Sequence, residues 1–167
     1  MFRGGNKGVR ILRDRRIIYL VFLVPAKWII VRRLVGVLHL EEVVTLSGAA
    51  THEQVLEKLD QSDVFCLVSV ESFGVAAVEA MGRGLPVAVS EATGIAELIH
   101  DGVEGFVVGN DRRTDSKYVG SILKQFVENP ELIPKMSEAA LERSRGLTWK
   151  ANAEQMFGVI NGILEKR

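Results

Sequence analysis

Two carboxylates stand close together in the stretch ESFGVAAVE, with Glu71 at its start and Glu79 at its end. A helix that begins near the intervening glycine would separate them along its axis by roughly 7 to 10 Å, at a rise of about 1.5 Å per residue. Carboxylates at this spacing can accept hydrogen bonds from hydroxyls on two parts of one extended ligand. The alternative is that the helix dipole alone favours both acids, with Glu79 solvated.

The helix start expected near Gly74 offers a second kind of binding group. The backbone amides of residues 72–76 would be unpaired donors at the positive end of the helix dipole, which suits a phosphate or a sugar oxygen. Gly74 would let a ligand approach the backbone closely. For Phe73, a place in the hydrophobic core and a place beside the ligand are both open.

Five short apolar runs, each bounded by turn residues, predict the strands that carry this stretch. They are residues 17–24, 43–48, 64–69, 86–90 and 105–108. Their continuous hydrophobicity indicates strands buried on both faces, as in a parallel sheet. Residues 69–74 would then lie at the carboxyl end of a strand, where open α/β sheets bind ligands.

Helix signals alternate with these runs. Thr51 and Gln54 form a capping box ahead of an apolar segment. Asn129 and Pro130 suit the N-cap and first position of another helix, and residues 149–164 predict a final amphipathic helix. The alternation predicts one doubly wound α/β domain with a parallel sheet, flanked by helices and spanning residues 1–167.

The formal charge of the chain is zero but unevenly distributed. Residues 1–33 contain nine lysines and arginines and one acid, Asp14, which gives this segment a net charge of +8 and leaves −8 for the remainder. Such a basic start can meet ligand phosphates, an anionic membrane surface or nucleic acid, and charge alone does not choose among them. The alternative is a solvated terminal segment.

Cysteine and histidine usage argues against several kinds of site. Cys66 is the only cysteine, which excludes an internal disulfide and a cysteine-rich zinc site and fits a reducing compartment. His39, His52 and His100 show no ligand-like spacing, so we expect surface roles for them and no metal site. The apolar run at residues 17–31 is interrupted by a proline and a lysine, so it falls short of the roughly 20 apolar residues of a membrane span.

A family resemblance rests on the long stretch ESFGVAAVEAMGRGLPVAVSEATGIAELIHDGVEGFVV. It resembles the donor-binding half of group 1 glycosyltransferases, retaining enzymes of the GT-B fold whose signature is two glutamates separated by seven residues. VVTLSGAATHEQVLEKLDQSDVFCLVSVESFG resembles the preceding family block, and LTWKANAEQMFGVINGIL resembles the closing tryptophan-containing helix. The match extends from about residue 39 to residue 167 and implies a Rossmann-like domain, the C-terminal half of a GT-B fold.

The resemblance implies roles for the residues of the opening stretch. Glu79 would accept hydrogen bonds from the ribose of a nucleotide, and Glu71 would bind hydroxyls of the transferred sugar. The amides of Ser72, Phe73 and Gly74 would face the sugar and the diphosphate, where charge grows as the bond to the leaving group breaks.

Further residues are implied outside that stretch. The segment FRGGNKG offers Arg3 and Lys7 for the diphosphate, where the family places an arginine and a lysine, although the two lie closer together here than the family pattern. No glycine occurs between Gly8 and Gly36, where the family has a glycine-rich turn. In the loop SGAA, Ala49 would contact the nucleobase through its main chain.

The implied reaction is a retaining transfer of a sugar from a UDP- or GDP-sugar to an acceptor hydroxyl, without a cofactor. Glu71 and Lys7 would serve catalysis, through front-face attack in which the departing phosphate helps to take the acceptor's proton. We expect a cytoplasmic protein, with its basic start at the membrane surface and no nucleic-acid partner.

The resemblance also implies a missing part. GT-B enzymes react in a cleft between two domains, and neither the N-terminal acceptor domain nor the first strand of the donor domain is recognisable here. The chain alone would then be inactive or incomplete until an acceptor domain or partner chain joins it. The alternative is a noncatalytic interaction or regulatory subunit that keeps the fold. Another Rossmann-like nucleotide binder is the third possibility, but no G-x-G-x-x-G motif follows a predicted strand.

Overall fold

The computed structural model describes residues 25–109 and 116–165. Six α-helices, three β-strands and one 3₁₀-helix occur in these two ranges. In chain order they are α1 (Pro25–Val37), α2 (His52–Gln61), β1 (Phe65–Leu67), α3 (Val75–Gly82), β2 (Val87–Ser90), the 3₁₀-helix (Gly94–Leu98), β3 (Gly105–Val108), α4 (Ser116–Glu128), α5 (Leu132–Arg145) and α6 (Trp149–Leu164).

The three strands form a parallel sheet in the order β1-β2-β3. Phe65 of β1 pairs with Val87 of β2, and Val87 pairs with Gly105 of β3. Gly105 is required at this position because a Cβ there would overlap the carbonyl oxygen of Val87. The expected α/β class and parallel sheet are confirmed.

Helices cover both faces of the sheet. Val87 and Val89 of β2 belong to one hydrophobic cluster, together with core residues of α2 and α3. Ala88, between them, belongs to a second cluster that includes Ile122 and Phe126 of α4. Successive side chains of a strand point to opposite faces, so a strand covered on both faces must be apolar throughout. This explains the uninterrupted hydrophobic runs of the sequence.

The prediction of a strand at residues 43–48 was wrong. The carbonyl oxygen of Leu40 accepts hydrogen bonds from the amides of both Val43 and Val44, which closes a turn where the strand would begin. Residues 45–48 continue without a ladder partner among the described residues, and Val43 is 69% exposed. The predicted strand at residues 17–24 lies outside the described residues.

Helix starts agree with the sequence in three cases, among them α3, which begins directly after Gly74, and differ in one. The capping box of Thr51 and Gln54 is present at the start of α2, and α6 has the predicted bounds, with Thr148 as its N-cap. The helix predicted to start at Asn129 and Pro130 instead begins at Leu132. Asn129 closes α4, because its amide and its side chain both donate to the carbonyl oxygen of Gln125.

Candidate functional site

The site expected after the first described strand lies where two loops meet. β1 ends at Leu67, and the following loop, residues 68–74, leads into α3. Glu71 in this loop forms an isolated parallel bridge with Thr93, which follows the end of β2. Both loops therefore lie at the carboxyl edge of the sheet, the edge at which parallel α/β sheets bind ligands.

Three backbone hydrogen bonds fasten the two loops together. The amide of Glu71 donates to Ala92 O at 3.3 Å, and the amide of Gly94 donates to Glu71 O at 3.2 Å. The amide of Ile95 donates to Phe73 O at 2.7 Å. A loop held at several successive residues has few alternative conformations, so these bonds fix the direction in which Glu71 leaves the backbone.

A buried hydroxyl adds a fourth contact. Thr93 is 1% exposed, and its Oγ1 donates to the carbonyl oxygen of Ser69 at 2.6 Å. The hydroxyl of Ser69 in turn donates to Glu71 Oε1 at 3.2 Å. Thr93 thus supports the backbone of a residue whose own side chain touches the candidate carboxylate.

Two glycines allow the loops to approach this closely. Gly74 is the N-cap of α3 with a φ of 90°, and a Cβ there would lie 2.6 Å from Thr93 Cγ2. A Cβ on Gly94 would overlap the carbonyl oxygen of Ser72. Both positions require glycine for steric reasons, and Gly74 also because its backbone is left-handed.

The start of α3 presents unpaired donors. The amides of Ser72, Phe73 and Gly74 make no hydrogen bond among the described residues. The side chain of Phe73 is 41% exposed, which excludes the alternative of a core aromatic. The unpaired amides lie next to the exposed carboxylate of Glu71, so this loop offers both donors and an acceptor to a ligand.

Glu79 is the fifth residue of α3, and its side chain is 35% exposed. It therefore lies about 6 Å along the helix from Val75, at a rise of about 1.5 Å per residue. Its Oε1 lies 3.9 Å from Nδ1 of His52, the first residue of α2. Glu71 and Glu79 thus stand on the loop and the helix that follow a single strand.

Ala49 lines a cavity whose walls include neither Glu71 nor Glu79. This cavity, of about 440 Å³, is bounded by loop residues 47–50 and by the side of α2 that carries Gln54, Lys58 and Gln61. The core side of α2, with Leu59, faces the other way, and α3 contributes nothing to the cavity. A nucleobase contact by Ala49 stays a prediction.

Two predicted residues cannot be placed. Arg3 and Lys7 lie outside the described residues. Their contact with a diphosphate also stays a prediction.

Two residues beside the site were not predicted from the sequence, Thr93 and His52, whereas Ser69 was predicted only as part of the loop at residues 69–74. The segment EATG after β2 did carry a signal, because a threonine followed by a glycine at the carboxyl end of a buried strand suits a loop that contacts a neighbouring loop. His52 was assigned only a surface role, and no local pattern connects it with Glu79.

Cys66 is not a candidate nucleophile. It lies in β1, and burial raises the pKa of its thiol to about 11. The thiolate is the reactive form, so this thiol is inert near neutral pH. Among the described residues, no group of three or more histidine, cysteine, aspartate or glutamate side chains could hold a metal ion.

A known protein family matches the part of the chain that forms this site. The model of the family "Glycosyl transferases group 1" matches residues 31–143, which include both glutamates and both loops of the site. The chain belongs to the group 1 glycosyltransferases. The resemblance read from the sequence is therefore confirmed.

Curated relatives show the extent of the similarity. D-inositol 3-phosphate glycosyltransferase of Streptomyces coelicolor is 29% identical over 136 residues, which cover 80% of this chain and 29% of that protein. Sucrose synthase of Acidithiobacillus caldus is 35% identical over 91 residues, 53% of this chain and 12% of that protein. The chain thus spans less than a third of the length of these relatives.

Solved structures share the fold. Sucrose-phosphate synthase of Thermosynechococcus elongatus superposes with a TM-score of 0.70 at 24% identity, over 85% of this chain and 35% of that one. HepE of Anabaena, solved in complex with UDP and glucose, superposes with a TM-score of 0.66 at 21% identity, over 83% of this chain and 38% of that one. The fold matches the C-terminal portion of GT-B glycosyltransferases. Within residues 25–109 and 116–165, no helix has the length and hydrophobicity to cross a membrane.

Proposed function

We propose that this chain is the nucleotide-sugar-binding domain of a retaining glycosyltransferase, which transfers a sugar from a UDP- or GDP-sugar to an acceptor hydroxyl. One observation carries the proposal: Glu71, the unpaired amides of residues 72–74 and Glu79 follow one another along the loop and the helix that leave the carboxyl end of β1. They offer acceptors at two places and donors between them. A nucleotide sugar has hydroxyls at both ends and a diphosphate between them, so its polar groups match this order.

Each part of the ligand has a proposed partner. Glu79 binds the ribose hydroxyls, and Glu71, oriented by the hydroxyl of Ser69, binds hydroxyls of the transferred sugar. The amides of Ser72, Phe73 and Gly74 face the diphosphate side of the sugar. HepE, solved with UDP and glucose, supports a uridine nucleotide as the first ligand to try.

The chemistry needs a stabilised leaving group. When the bond between sugar and phosphate breaks, negative charge grows on the diphosphate, and fixed N–H donors lower the energy of that charge. The amides before α3 supply such donors, and the positive end of the helix dipole adds to them. Lys7 and Arg3 are the proposed cations. The departing phosphate takes the acceptor's proton, so no side chain has to form a covalent intermediate.

An acceptor domain is required for transfer, and α6 offers a surface for it. None of the residues of α6 is buried, and Phe157 and Ile163 are 68% and 59% exposed. The chain spans 35% of the sucrose-phosphate synthase structure, so much of such an enzyme lies outside this sequence. We propose that the acceptor domain of the GT-B enzyme, or a partner chain that supplies it, covers the apolar residues of α6.

Calorimetric titration of the 167-residue chain with UDP, GDP, UDP-glucose and GDP-mannose tests the proposal. Loss of a hydrogen bond to a charged group weakens binding by about 1.5–3 kcal/mol, or roughly 10- to 150-fold, and we expect Glu79→Ala to show this loss. Glu53→Gln removes another exposed acid, in the first turn of α2, and should leave binding unchanged. Lys7→Ala should weaken the binding of both diphosphates.

Two results would count against a donor domain. The first is that the folded chain binds none of these nucleotides, and the second is that Glu79→Ala binds as well as wild type. Either would favour the noncatalytic interaction subunit. Sugar transfer after addition of an acceptor domain would exclude that alternative.

We also propose contact between the basic segment at residues 1–33 and anionic lipid. Polybasic segments are attracted to anionic membrane surfaces by about 1 kcal/mol per lysine or arginine. Sedimentation with vesicles that contain phosphatidylserine, compared with pure phosphatidylcholine vesicles, tests this contact. Equal sedimentation with both vesicle types would exclude it.

A further inference from the structure

The polar side chains of His52 and Glu79 lie close together but form no hydrogen bond with each other. The distance of 3.9 Å between His52 Nδ1 and Glu79 Oε1 is too long for a hydrogen bond. Neither side chain makes a hydrogen bond to another described residue, and the two are 67% and 35% exposed. A ring nitrogen and a carboxylate oxygen are therefore both available to a ligand on the same side of α3.

The helices that carry this pair are held in place by contacts at both ends of α2. The capping box holds the first turn of α2, with Thr51 N donating to Gln54 Oε1 at 2.9 Å. At the other end of α2, Arg83 Nη1 donates to both carboxylate oxygens of Asp60 at 3.0 Å. Between these ends, Leu59 is buried in the same cluster as Ala77, Ala80 and Met81 of α3. These contacts hold the backbones of α2 and α3 near each other, so His52 and Glu79 start from neighbouring positions.

We propose that His52 is a second ligand-binding residue beside Glu79, and that one hydroxyl of the bound nucleotide's ribose occupies the gap. A hydroxyl donates one hydrogen bond and accepts others, so it can donate to the carboxylate and accept from the ring N–H. Two hydrogen bonds of about 2.8 Å that meet at about 90° span the observed 3.9 Å. This inference rests on the proposed function, and it adds a residue that selects ribonucleotides over deoxyribonucleotides.

The position of His52 also accounts for its residue type. Its ring is the only side chain from α2 that lies within 4 Å of Glu79 as an ion-pair partner among the described residues. An acid such as the neighbouring Glu53 would repel the carboxylate of Glu79 if it stood at the position of His52. The ring donates to the hydroxyl from Nδ1 in the tautomer that carries its proton on that nitrogen.

The test is a titration of the 167-residue chain with UDP and GDP and with their 2′-deoxy and 3′-deoxy analogues. His52→Phe keeps a ring without nitrogen, and His52→Gln keeps a side-chain N–H donor. Glu53→Gln, at the neighbouring exposed position in the same turn, is the matched control. Thermal unfolding of each variant shows whether it remains folded.

We expect His52→Phe to weaken the binding of the parent nucleotide by roughly 3- to 10-fold, the range for one neutral hydrogen bond. For the analogue that lacks the bridging hydroxyl, the same variant should bind as well as wild type. His52→Gln should recover part of the loss for the parent nucleotide, and Glu53→Gln should bind both ligands like wild type.

A loss in His52→Phe that is equal for parent and deoxy nucleotides would overturn the inference, because it would reflect packing rather than a hydroxyl contact. No loss with either ligand would overturn it as well and leave His52 a surface residue. In both cases wild-type binding and the effect of Glu79→Ala would still stand, so the proposed function would survive. Absence of nucleotide binding by wild type would overturn both proposals.

Discussion

The hydroxyl of Thr93 donates to the carbonyl oxygen of Ser69 at 2.6 Å and ties the loop after β2 to the loop after β1. Thr93 is 1% exposed, and the bond spans 24 positions of sequence. Because Ser69 also donates to Glu71, the hydroxyl of Thr93 acts on the candidate sugar-binding carboxylate through one intervening residue. Thr93 is in this sense a positioning residue.

Replacement of Thr93 by valine removes this hydroxyl and keeps the shape of the side chain. The carbonyl oxygen of Ser69 loses its partner, so we expect the free energy of unfolding to fall by about 1–2 kcal/mol. The loop that carries Glu71 should loosen, while Glu79 on α3 stays in place. Binding of UDP-glucose should therefore weaken more than binding of UDP, as measured by calorimetric titration of both ligands.

Thr93→Ser is the control for this prediction. It keeps the hydroxyl, so UDP-glucose and UDP should both bind as they bind to wild type, although loss of the methyl group that lies near Gly74 costs some stability. Equal weakening of UDP and UDP-glucose in Thr93→Val would show that the threonine supports the fold without directing the sugar-binding loop.

Alanine variants of Gly74 and Gly102 would separate the cost of backbone strain from the cost of steric overlap. Their φ angles are similar, 90° and 80°, but a Cβ on Gly102 would meet nothing within 4 Å, whereas one on Gly74 would lie 2.6 Å from Thr93 Cγ2. A left-handed conformation costs an L-residue about 1–2 kcal/mol. We expect Gly102→Ala to lose about that much stability in urea denaturation.

Gly74→Ala should lose more stability than Gly102→Ala, because overpacking adds about 1–3 kcal/mol to the same backbone cost. It should also weaken UDP-glucose binding, since Thr93 and the start of α3 are pushed apart. If both alanine variants lost the same stability, the contact between Gly74 and Thr93 would be looser than the structure shows.

The sequence predicted the local parts of this molecule well. The bounds of α6, the capping box of Thr51 and Gln54 and the helix start after Gly74 all depend on residues within a few positions of each other. The strands β1, β2 and β3 were found because burial on both faces requires continuous apolar runs. Residues 43–48 carry the same apolar signal but form no strand. The turn that Leu40 closes ends the run's chance to pair, and composition does not reveal that turn.

The contacts between distant residues could not be predicted in the same way. Glu71 and Glu79 were chosen from their spacing and from the family pattern, which places a site but does not show what orients it. The bond from Thr93 to Ser69 and the approach of His52 to Glu79 depend on how loops and helices pack. Hydrophobic periodicity fixes which face of an element is buried, and it leaves polar contacts at the edges undetermined.

Glu104 anchors the turn before β3, and its removal should destabilise the domain. This residue is 4% exposed, and its carboxylate accepts hydrogen bonds from the amide of His100 at 2.8 Å and interacts with His100 Nδ1 at 3.0 Å. We expect Glu104→Ala to lose about 1–3 kcal/mol of unfolding free energy, because the amide of His100 loses its acceptor. Urea denaturation measures the loss.

Two variants separate the contributions to that loss. Glu104→Gln keeps an acceptor for the amide, and we expect it to lose about half as much stability or less, within the range for one hydrogen bond. His100→Ala removes only the ring contact and should cost less than Glu104→Ala. If His100→Ala were as destabilising as Glu104→Ala, the ring rather than the amide would be the partner that matters.

The buried thiol of Cys66 should make the stability of the domain depend on pH in the alkaline range. Burial raises the pKa of this thiol from 9.0 to about 11, so between these values the unfolded chain has lost the proton while the folded chain keeps it. Stability falls with rising pH wherever the unfolded state binds fewer protons, by at most about 1.4 kcal/mol per pH unit for one group. The stability that the protonated thiol contributes is fully present below about pH 9 and is lost by about pH 11.

Urea denaturation of wild type and Cys66→Ala at pH 8, 9.5 and 11 isolates the contribution of the thiol, because other titrating groups are common to both proteins. The stability difference between the two proteins should shrink as pH rises, and a difference that stays constant would show that the thiol ionises at the same pH folded and unfolded.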